Sequence, residues 1–164
     1  SINGQGQADA KQLALLMQEH AVDVIYTSSL KRTQETAQLA FPDRQVQPIA
    51  DFDERGFGQW EGLTADEIEA AFPEVWQTWL EAPFEVTPPE AEVFADFQTR
   101  VWAATDRLLD TTEDSIALVA HLGVLRLIYQ RLVDPEAVFW NIDVPQGRVL
   151  LLEERDQTWQ ATLL

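Results

Sequence analysis

The sequence predicts a mixed α/β domain of three layers, α/β/α, with a mostly parallel sheet and an antiparallel C-terminal edge. Two apolar runs, "VDVIYT" and "SIALVA", are each followed by a helix-like repeat, and alternation of strands with helices is typical of parallel sheets. The last two apolar segments, "RVLLLEE" and "WQATLL", are joined only by "RDQT", which predicts a hairpin. Because no Gly/Ser linker or repeat divides the 164 residues, we expect one domain over residues 1–164.

The first part of the chain alternates helix and strand. Ser28 and Ser29 follow the first apolar run, and their side chains favour the cap of the next helix. Pro48 lacks an amide hydrogen and therefore weakens the second strand or moves it to an edge. The expected elements, in order, are a helix over 6–19, a strand over 22–27, a helix ending before Pro42 and a strand over 45–49.

Helix-start signals dominate the second part. Thr64 and Glu67 form a T-x-x-E capping box, and Pro73 suits the first turn of a further helix. The remaining expectations are a glycine-containing loop over 51–62, a long amphipathic helix over 94–108, a buried strand over 115–120, a helix over about 123–133 and the C-terminal hairpin.

Charge and composition exclude several classes of partner. The chain has 28 Asp and Glu against 11 Lys and Arg, a net charge of −17, which repels nucleic acid and anionic membranes. No apolar run reaches the ~18 residues of a membrane helix, and no basic, apolar leader precedes the first helix. The absence of cysteine excludes disulfides and is compatible with a cytoplasmic location. A homodimer is compatible with the sequence, although composition does not determine the oligomeric state.

Two polar residues stand where predicted parallel strands end, the edge at which such sheets bind ligands. Arg32 lies near the start of a helix, where its guanidinium and the free amides favour an anion; the alternative is a surface ion pair with Glu35 or a neighbouring acid. His121 follows the second strand directly; the alternative is a histidine that satisfies backbone groups of a turn. Gly123 allows a tight turn there, and Leu122 contributes its amide.

Glu54 is a candidate general acid. It lies in a glycine-punctuated loop with Phe57 and Trp60 nearby in sequence, and aromatic surroundings favour a neutral carboxyl group. The alternative is that Glu54 is one of many solvated acids. No spacing in the chain resembles a metal site or a nucleotide cradle, so we expect no cofactor.

Three segments, "YTSSLKRTQETA" (26–37), "DERGFGQWEG" (53–62) and "LVAHLGVLR" (118–126), resemble the histidine phosphatase superfamily, which includes phosphoglycerate mutases and α-ribazole phosphatases. The resemblance implies a phosphoglycerate mutase-like fold and a phosphohistidine intermediate without a metal. It implies that Arg32 binds phosphate, that Glu54 gives a proton to the leaving oxygen, and that His121 stabilises the transferring phosphoryl group. We expect the substrate to be bound by Arg32 and by three residues near Arg32 or His121 in the sequence: Ser28, Leu122 and Gly123.

The chain departs from the family pattern at three points. The family's nucleophile lies in an Arg-His-Gly motif that ends the first strand, ahead of the helix beginning near Gly6, and His20 lies a helix away from that position. We therefore expect the printed sequence to be an N-terminally incomplete part of a longer protein. Leu122 also replaces the first of two glycines, and in "PEAEV" Glu92 takes the substrate-binding glutamate position of the family's Gly-Glu-Ser stretch.

These residues predict a phosphomonoester hydrolase that acts on a small phosphorylated metabolite, of the α-ribazole phosphate or sugar phosphate type. A mutase is the alternative enzyme, but only about 40 residues separate Glu54 from the long helix, which limits the room for a lid. A non-catalytic module that binds a phosphate ligand is the alternative if the nucleophile is absent.

Overall fold

A computed structural model describes residues 2–164. The strands are β1 (Val24–Thr27), β2 (Gln47–Pro48), β3 (Ile116–Val119), β4 (Leu150–Arg155) and β5 (Thr158–Leu163). The helices are α1 (Gly4–Met17), α2 (Lys31–Ala40), α3 (Ala65–Ala71), α4 (Pro73–Glu81), α5 (Phe94–Leu109) and α6 (Leu122–Leu132). In the described part of the chain, no helix has the length and apolar character needed to cross a membrane.

The parallel sheet has the strand order β2-β1-β3, and the predicted α/β class is confirmed. β1 pairs with both neighbours in parallel, with Thr27 opposite Val119 of β3 and opposite Pro48 of β2. Pro48 thus lies on an edge strand, as its missing amide hydrogen predicts. Because β1 and β3 run in the same direction and end in register, the residues that follow them emerge at one edge of the sheet.

The C-terminal strands form the predicted antiparallel hairpin, in which β4 and β5 pair with each other from Leu150 opposite Leu163 to Arg155 opposite Thr158. The two residues of the turn, Asp156 and Gln157, have positive φ angles of 54° and 65°. Two positive φ angles are the requirement of the tight turns that match the twist of a hairpin. The turn therefore has that geometry without the usual Asn-Gly pair.

The chain divides into two compact units. The sheet unit consists of the described residues up to Glu54 together with Val101–Leu164, and its core includes Ile25, Phe52 and Leu127. The second unit is Arg55–Arg100, in which Trp60, Phe72, Trp76 and Trp79 form an aromatic cluster with ring centroids 5.6 to 6.4 Å apart.

Two predicted helix starts are confirmed and one is wrong. Thr64 and Glu67 exchange both hydrogen bonds of a capping box, and Pro73 occupies the first turn of α4. The prediction that Ser28 and Ser29 cap α2 is wrong, because Leu30 is the cap residue and makes no side-chain cap bond. The Ser29 hydroxyl instead binds Asp53, and the Ser28 hydroxyl binds His121 as well as Thr33 of α2.

Candidate functional site

The ends of β1 and β3 bring together Arg32 and His121, which are 89 positions apart in the sequence. The Nη2 atom of Arg32 lies 3.3 Å from Nδ1 of His121, whose side chain is buried with 8% exposure. The alternative pairing of Arg32 with Glu35 is not formed: Glu35 instead pairs with Lys31 at 3.8 Å and accepts a hydrogen bond from the Ile2 amide.

The contacts of His121 fix which ring nitrogen carries the proton. A guanidinium can only donate, so Nδ1 of His121 accepts the hydrogen bond from Arg32. The neutral ring then carries its hydrogen on Nε2, which donates to the Ser28 hydroxyl at 2.8 Å. His121 is thus held from both sides, with its Nδ1 lone pair directed at the charged group.

A pair of hydroxyl groups supports His121 from behind. Ser28 has no exposed surface, and its Oγ lies 2.7 Å from Oγ1 of Thr33. Thr33 donates its own hydrogen to the Leu30 carbonyl at 2.8 Å, so Ser28 donates to Thr33 and remains an acceptor for His121. The structure therefore gives Ser28, which we predicted to bind substrate, a buried side chain that holds the histidine.

Glu54, Leu122 and Gly123 meet at the start of α6. His121 is the cap residue of this helix. The amides of its first turn lack partners within the helix, because the residues four positions before them lie outside it. Glu54 is half-buried, and its Oε1 lies 2.6 Å from the point where a Cβ atom on Gly123 would stand. The residue predicted as general acid therefore contacts the helix start that follows His121.

A second serine fixes the segment that carries Glu54. Ser29 donates its amide hydrogen to Oδ1 of Asp53 at 2.7 Å and its hydroxyl hydrogen to Oδ2 at 2.6 Å. Neither this pair nor Thr33 follows from the sequence analysis. The sequence contained only a weak signal, namely that Thr33 is adjacent to Arg32 and Asp53 is adjacent to Glu54. With 28 acidic side chains in the chain, an acid beside a predicted site residue is not informative.

Glu92, the other predicted substrate-binding residue, lies in the second unit. Its carboxylate accepts two hydrogen bonds from Arg100, at 2.7 and 2.9 Å, and its carbonyl accepts one from Arg55. Burial lowers the pKa of Arg55 from its ordinary value, and the charge of Glu92 opposes that effect. The charge of Glu92 is thus balanced within its own unit, and its role toward a substrate stays a prediction.

Residues 2–164 contain no group of three or more His, Cys, Asp or Glu side chains placed to hold a metal ion. The donors that the sheet unit brings together are a guanidinium, an imidazole and the amides of a helix start. Such groups suit an anion with several oxygen atoms, such as a phosphoryl group.

Comparison with known proteins agrees with this chemistry. The family model of the histidine phosphatase superfamily (branch 1) matches residues 1–164. The adenosylcobalamin/alpha-ribazole phosphatase of Escherichia coli is 31% identical over 150 residues, which are 89% of this chain and 74% of that protein. Phosphoserine phosphatase 1 of Hydrogenobacter thermophilus is 28% identical over 160 residues, 94% of this chain and 76% of that protein.

Solved structures share the fold. The alpha-ribazole phosphatase from Shigella flexneri superposes with a TM-score of 0.91 at 27% identity, covering 100% of this chain and 83% of that one. A phosphoglycerate mutase from Bacillus anthracis, at 19% identity, has a TM-score of 0.79 over 99% of this chain and 80% of its own. The phosphoglycerate mutase-like fold predicted from the sequence is therefore confirmed, and the chain belongs to the histidine phosphatase superfamily, branch 1.

Proposed function

We propose that the protein is a phosphomonoesterase that hydrolyses a small phosphorylated metabolite through a phosphohistidine intermediate. The observation that carries the proposal is the contact between Arg32 and His121 at the sheet edge, with Glu54 against the start of α6. Phosphoryl transfer needs mainly positioned positive charge and hydrogen-bond donors around the oxygens of the transferring group. The names of the relatives, alpha-ribazole phosphatase and phosphoserine phosphatase, support the same reaction class.

In this proposal a phosphoryl oxygen replaces Nδ1 of His121 as the acceptor for Arg32. Nδ1 of His121 takes the remaining proton of the incoming phosphomonoester monoanion and then donates it in a hydrogen bond to a second phosphoryl oxygen. Its Nε2–H bond to Ser28 at 2.8 Å is compatible with this change, because the Ser28 hydroxyl accepts equally from the neutral and the cationic ring. The imidazole therefore gains a proton without losing its orientation.

In the proposed reaction the nucleophile is the histidine that the family resemblance implies. Its ring nitrogen bonds to phosphorus while the P–O ester bond breaks, and the electron pair goes to the leaving oxygen, which takes the proton of Glu54. Glu54 then accepts a proton from the water that hydrolyses the phosphohistidine. In support, β3 pairs with β1 along one edge, and within residues 2–164 no strand pairs with its other edge. A parallel strand on that edge would end beside His121.

The test uses the full-length protein and measures inorganic phosphate released from α-ribazole 5′-phosphate, phosphoserine and p-nitrophenyl phosphate. We expect turnover with all three and the highest kcat/KM with α-ribazole 5′-phosphate. Conversion of 3-phosphoglycerate to 2-phosphoglycerate without phosphate release would support the mutase alternative. Calorimetric binding of inorganic phosphate without any turnover would refute the enzyme and support the binding module.

A further inference from the structure

Two consecutive serines at the end of β1 each hold a different part of the candidate site. Ser28 holds His121, and Ser29 holds Asp53 through both carboxylate oxygens, at 2.7 and 2.6 Å. The backbone of Asp53 is fixed as well, because its amide donates to the Ala50 carbonyl at 2.9 Å. We call the Ser29–Asp53 contact the serine–aspartate clamp.

The clamp controls the position of the next residue. Asp53 precedes Glu54 directly, so their Cα atoms are about 3.8 Å apart across one trans peptide bond. Glu54 in turn lies against Gly123, with Oε1 2.6 Å from the Cβ position of that residue. Movement of Asp53 away from Ser29 therefore displaces the Glu54 backbone and withdraws its carboxylate from the start of α6.

We propose that the serine–aspartate clamp positions Glu54 for proton transfer. Asp53 and Ser29 are positioning residues, since they act through Glu54. The inference rests on the proposed function, in which Glu54 protonates the leaving oxygen. Both serines follow the same strand, β1, whose residues Ile25 and Thr27 have no exposed surface. His121 and Glu54 are therefore positioned by the end of one buried strand.

Asparagine separates the geometry of the clamp from its charge. In Asp53→Asn, Oδ1 can still accept the Ser29 amide hydrogen, and the new Nδ2 group can donate to the Ser29 hydroxyl oxygen. Two hydrogen bonds then remain, while the negative charge is gone. Asp53→Ala removes both bonds. If geometry is the function of the clamp, the asparagine variant resembles wild type and the alanine variant does not.

Asp51 provides a matched control. It lies two residues before Asp53 and pairs with Arg107 at 2.7 Å, with 47% of its side chain exposed. Asp51→Ala removes a negative charge and the contact with Arg107 from the same segment, as Asp53→Ala removes a negative charge and the contact with Ser29. It leaves Ser29 and Asp53 untouched.

The first measurement does not depend on activity. The Gly123 amide signal in a ¹H–¹⁵N spectrum of the full-length protein can be assigned by its loss in Gly123→Ala. We expect Asp53→Ala to shift this signal in the direction that Glu54→Ala does, and Asp53→Asn and Asp51→Ala to leave it near its wild-type position. An unchanged Gly123 signal in Asp53→Ala would overturn the clamp.

The second measurement is turnover of phosphomonoesters whose leaving groups differ in pKa. We expect Asp53→Ala to lower kcat about 10-fold for alkyl phosphates and much less for p-nitrophenyl phosphate, since an acidic phenol needs little proton donation. In Glu54→Gln the added Asp53→Ala should have no further effect on this dependence. Equal losses of kcat for all leaving groups would refute positioning for proton transfer. If the wild-type protein is inactive on every ester, the proposed function is refuted. The Gly123 signal tests the clamp in either case.

Discussion

The carboxylate of Glu54 occupies the space that any side chain on residue 123 would need. A Cβ atom on Gly123 would lie 2.6 Å from Oε1 and 3.3 Å from Cδ of Glu54, and the first distance is shorter than a carbon–oxygen contact allows. Gly123 is not among the residues with positive φ, so its backbone tolerates an L side chain. The requirement for glycine here comes from Glu54 and not from the turn.

Gly123→Ala should therefore lower activity without unfolding the protein. The new methyl group meets only the end of a flexible side chain, so Glu54 moves and the helix remains; alanine also favours a helix over glycine by up to about 1 kcal/mol. We expect kcat for alkyl phosphates to fall about 10-fold with an unchanged or higher Tm. Gly4→Ala in α1, where a Cβ meets nothing within 4 Å, is the control for both measurements. A large fall in Tm would contradict this reading of Gly123.

Arg32→Ala and His121→Ala should each reduce kcat by about 100-fold or more. This is the usual scale for losing a preorganised hydrogen-bond donor at a developing charge. Arg32→Lys should restore little, because an ammonium lacks the planar fork of donors that a guanidinium presents to a phosphoryl group. Lys31→Ala is the matched control, since Lys31 is adjacent, carries the same charge and is 78% exposed. Steady-state kinetics with p-nitrophenyl phosphate measure kcat for all four variants. If Lys31→Ala loses as much activity as Arg32→Ala, the loss comes from the lower positive charge of the region and not from the contact with His121.

Glu54→Gln tests the proton donor separately from phosphate binding. Glutamine keeps the size of the side chain but cannot protonate a leaving oxygen, so kcat should fall most for esters with poor leaving groups. The measurement is the slope of log kcat against leaving-group pKa, which should be steeper than in wild type. His121→Ala should lower log kcat for all esters with little change of slope. If the line for Glu54→Gln is also parallel to that of the wild type, Glu54 is not the general acid.

Local signals in the sequence sufficed for most helices and strands. The Thr64–Glu67 capping box, the start of α4 at Pro73 and the β1–β3 pairing depend on short-range chemistry or on continuous apolar runs. The caps of α2 were mispredicted because Ser28 and Ser29 have partners far away in the sequence, His121 and Asp53. A propensity for capping cannot anticipate such competition.

The site shows the same limit. Arg32 and His121 could be predicted because each follows a strand of one parallel sheet, and topology then brings them together. Thr33 could not, since a threonine in the first turn of an amphipathic helix has many possible partners. Its function as support for Ser28 depends on a distance of 2.7 Å that only the folded chain defines.

Thr33→Val tests whether the buried hydroxyl pair matters for catalysis beyond stability. Valine keeps the shape but leaves the Ser28 hydroxyl without its acceptor, so Ser28 can rotate and His121 loses its fixed orientation. We expect a loss of about 1–2 kcal/mol of unfolding free energy and an approximately 10-fold lower kcat. Thr105→Val is the control: Thr105 is equally buried, at 2% exposure, and donates to the Val101 carbonyl at 2.7 Å. The measurements are kcat and urea denaturation for both variants. Equal losses of kcat in Thr33→Val and Thr105→Val would show that Thr33 contributes to stability only.

Gly58 in the second unit should be far less tolerant of substitution than Gly62. Both have positive φ, 56° and 77°, which disfavours any L side chain by about 1 kcal/mol. A Cβ on Gly58 would in addition overlap backbone atoms of Pro89, Glu90 and Ala91, whereas one on Gly62 meets nothing within 4 Å. Because backbone cannot rotate aside as the Glu54 side chain can, Gly58→Ala should cost on the order of 3 kcal/mol or more and Gly62→Ala about 1 kcal/mol. Urea denaturation of both variants measures the difference, and similar midpoints would contradict the close approach of residue 58 to the 89–91 segment.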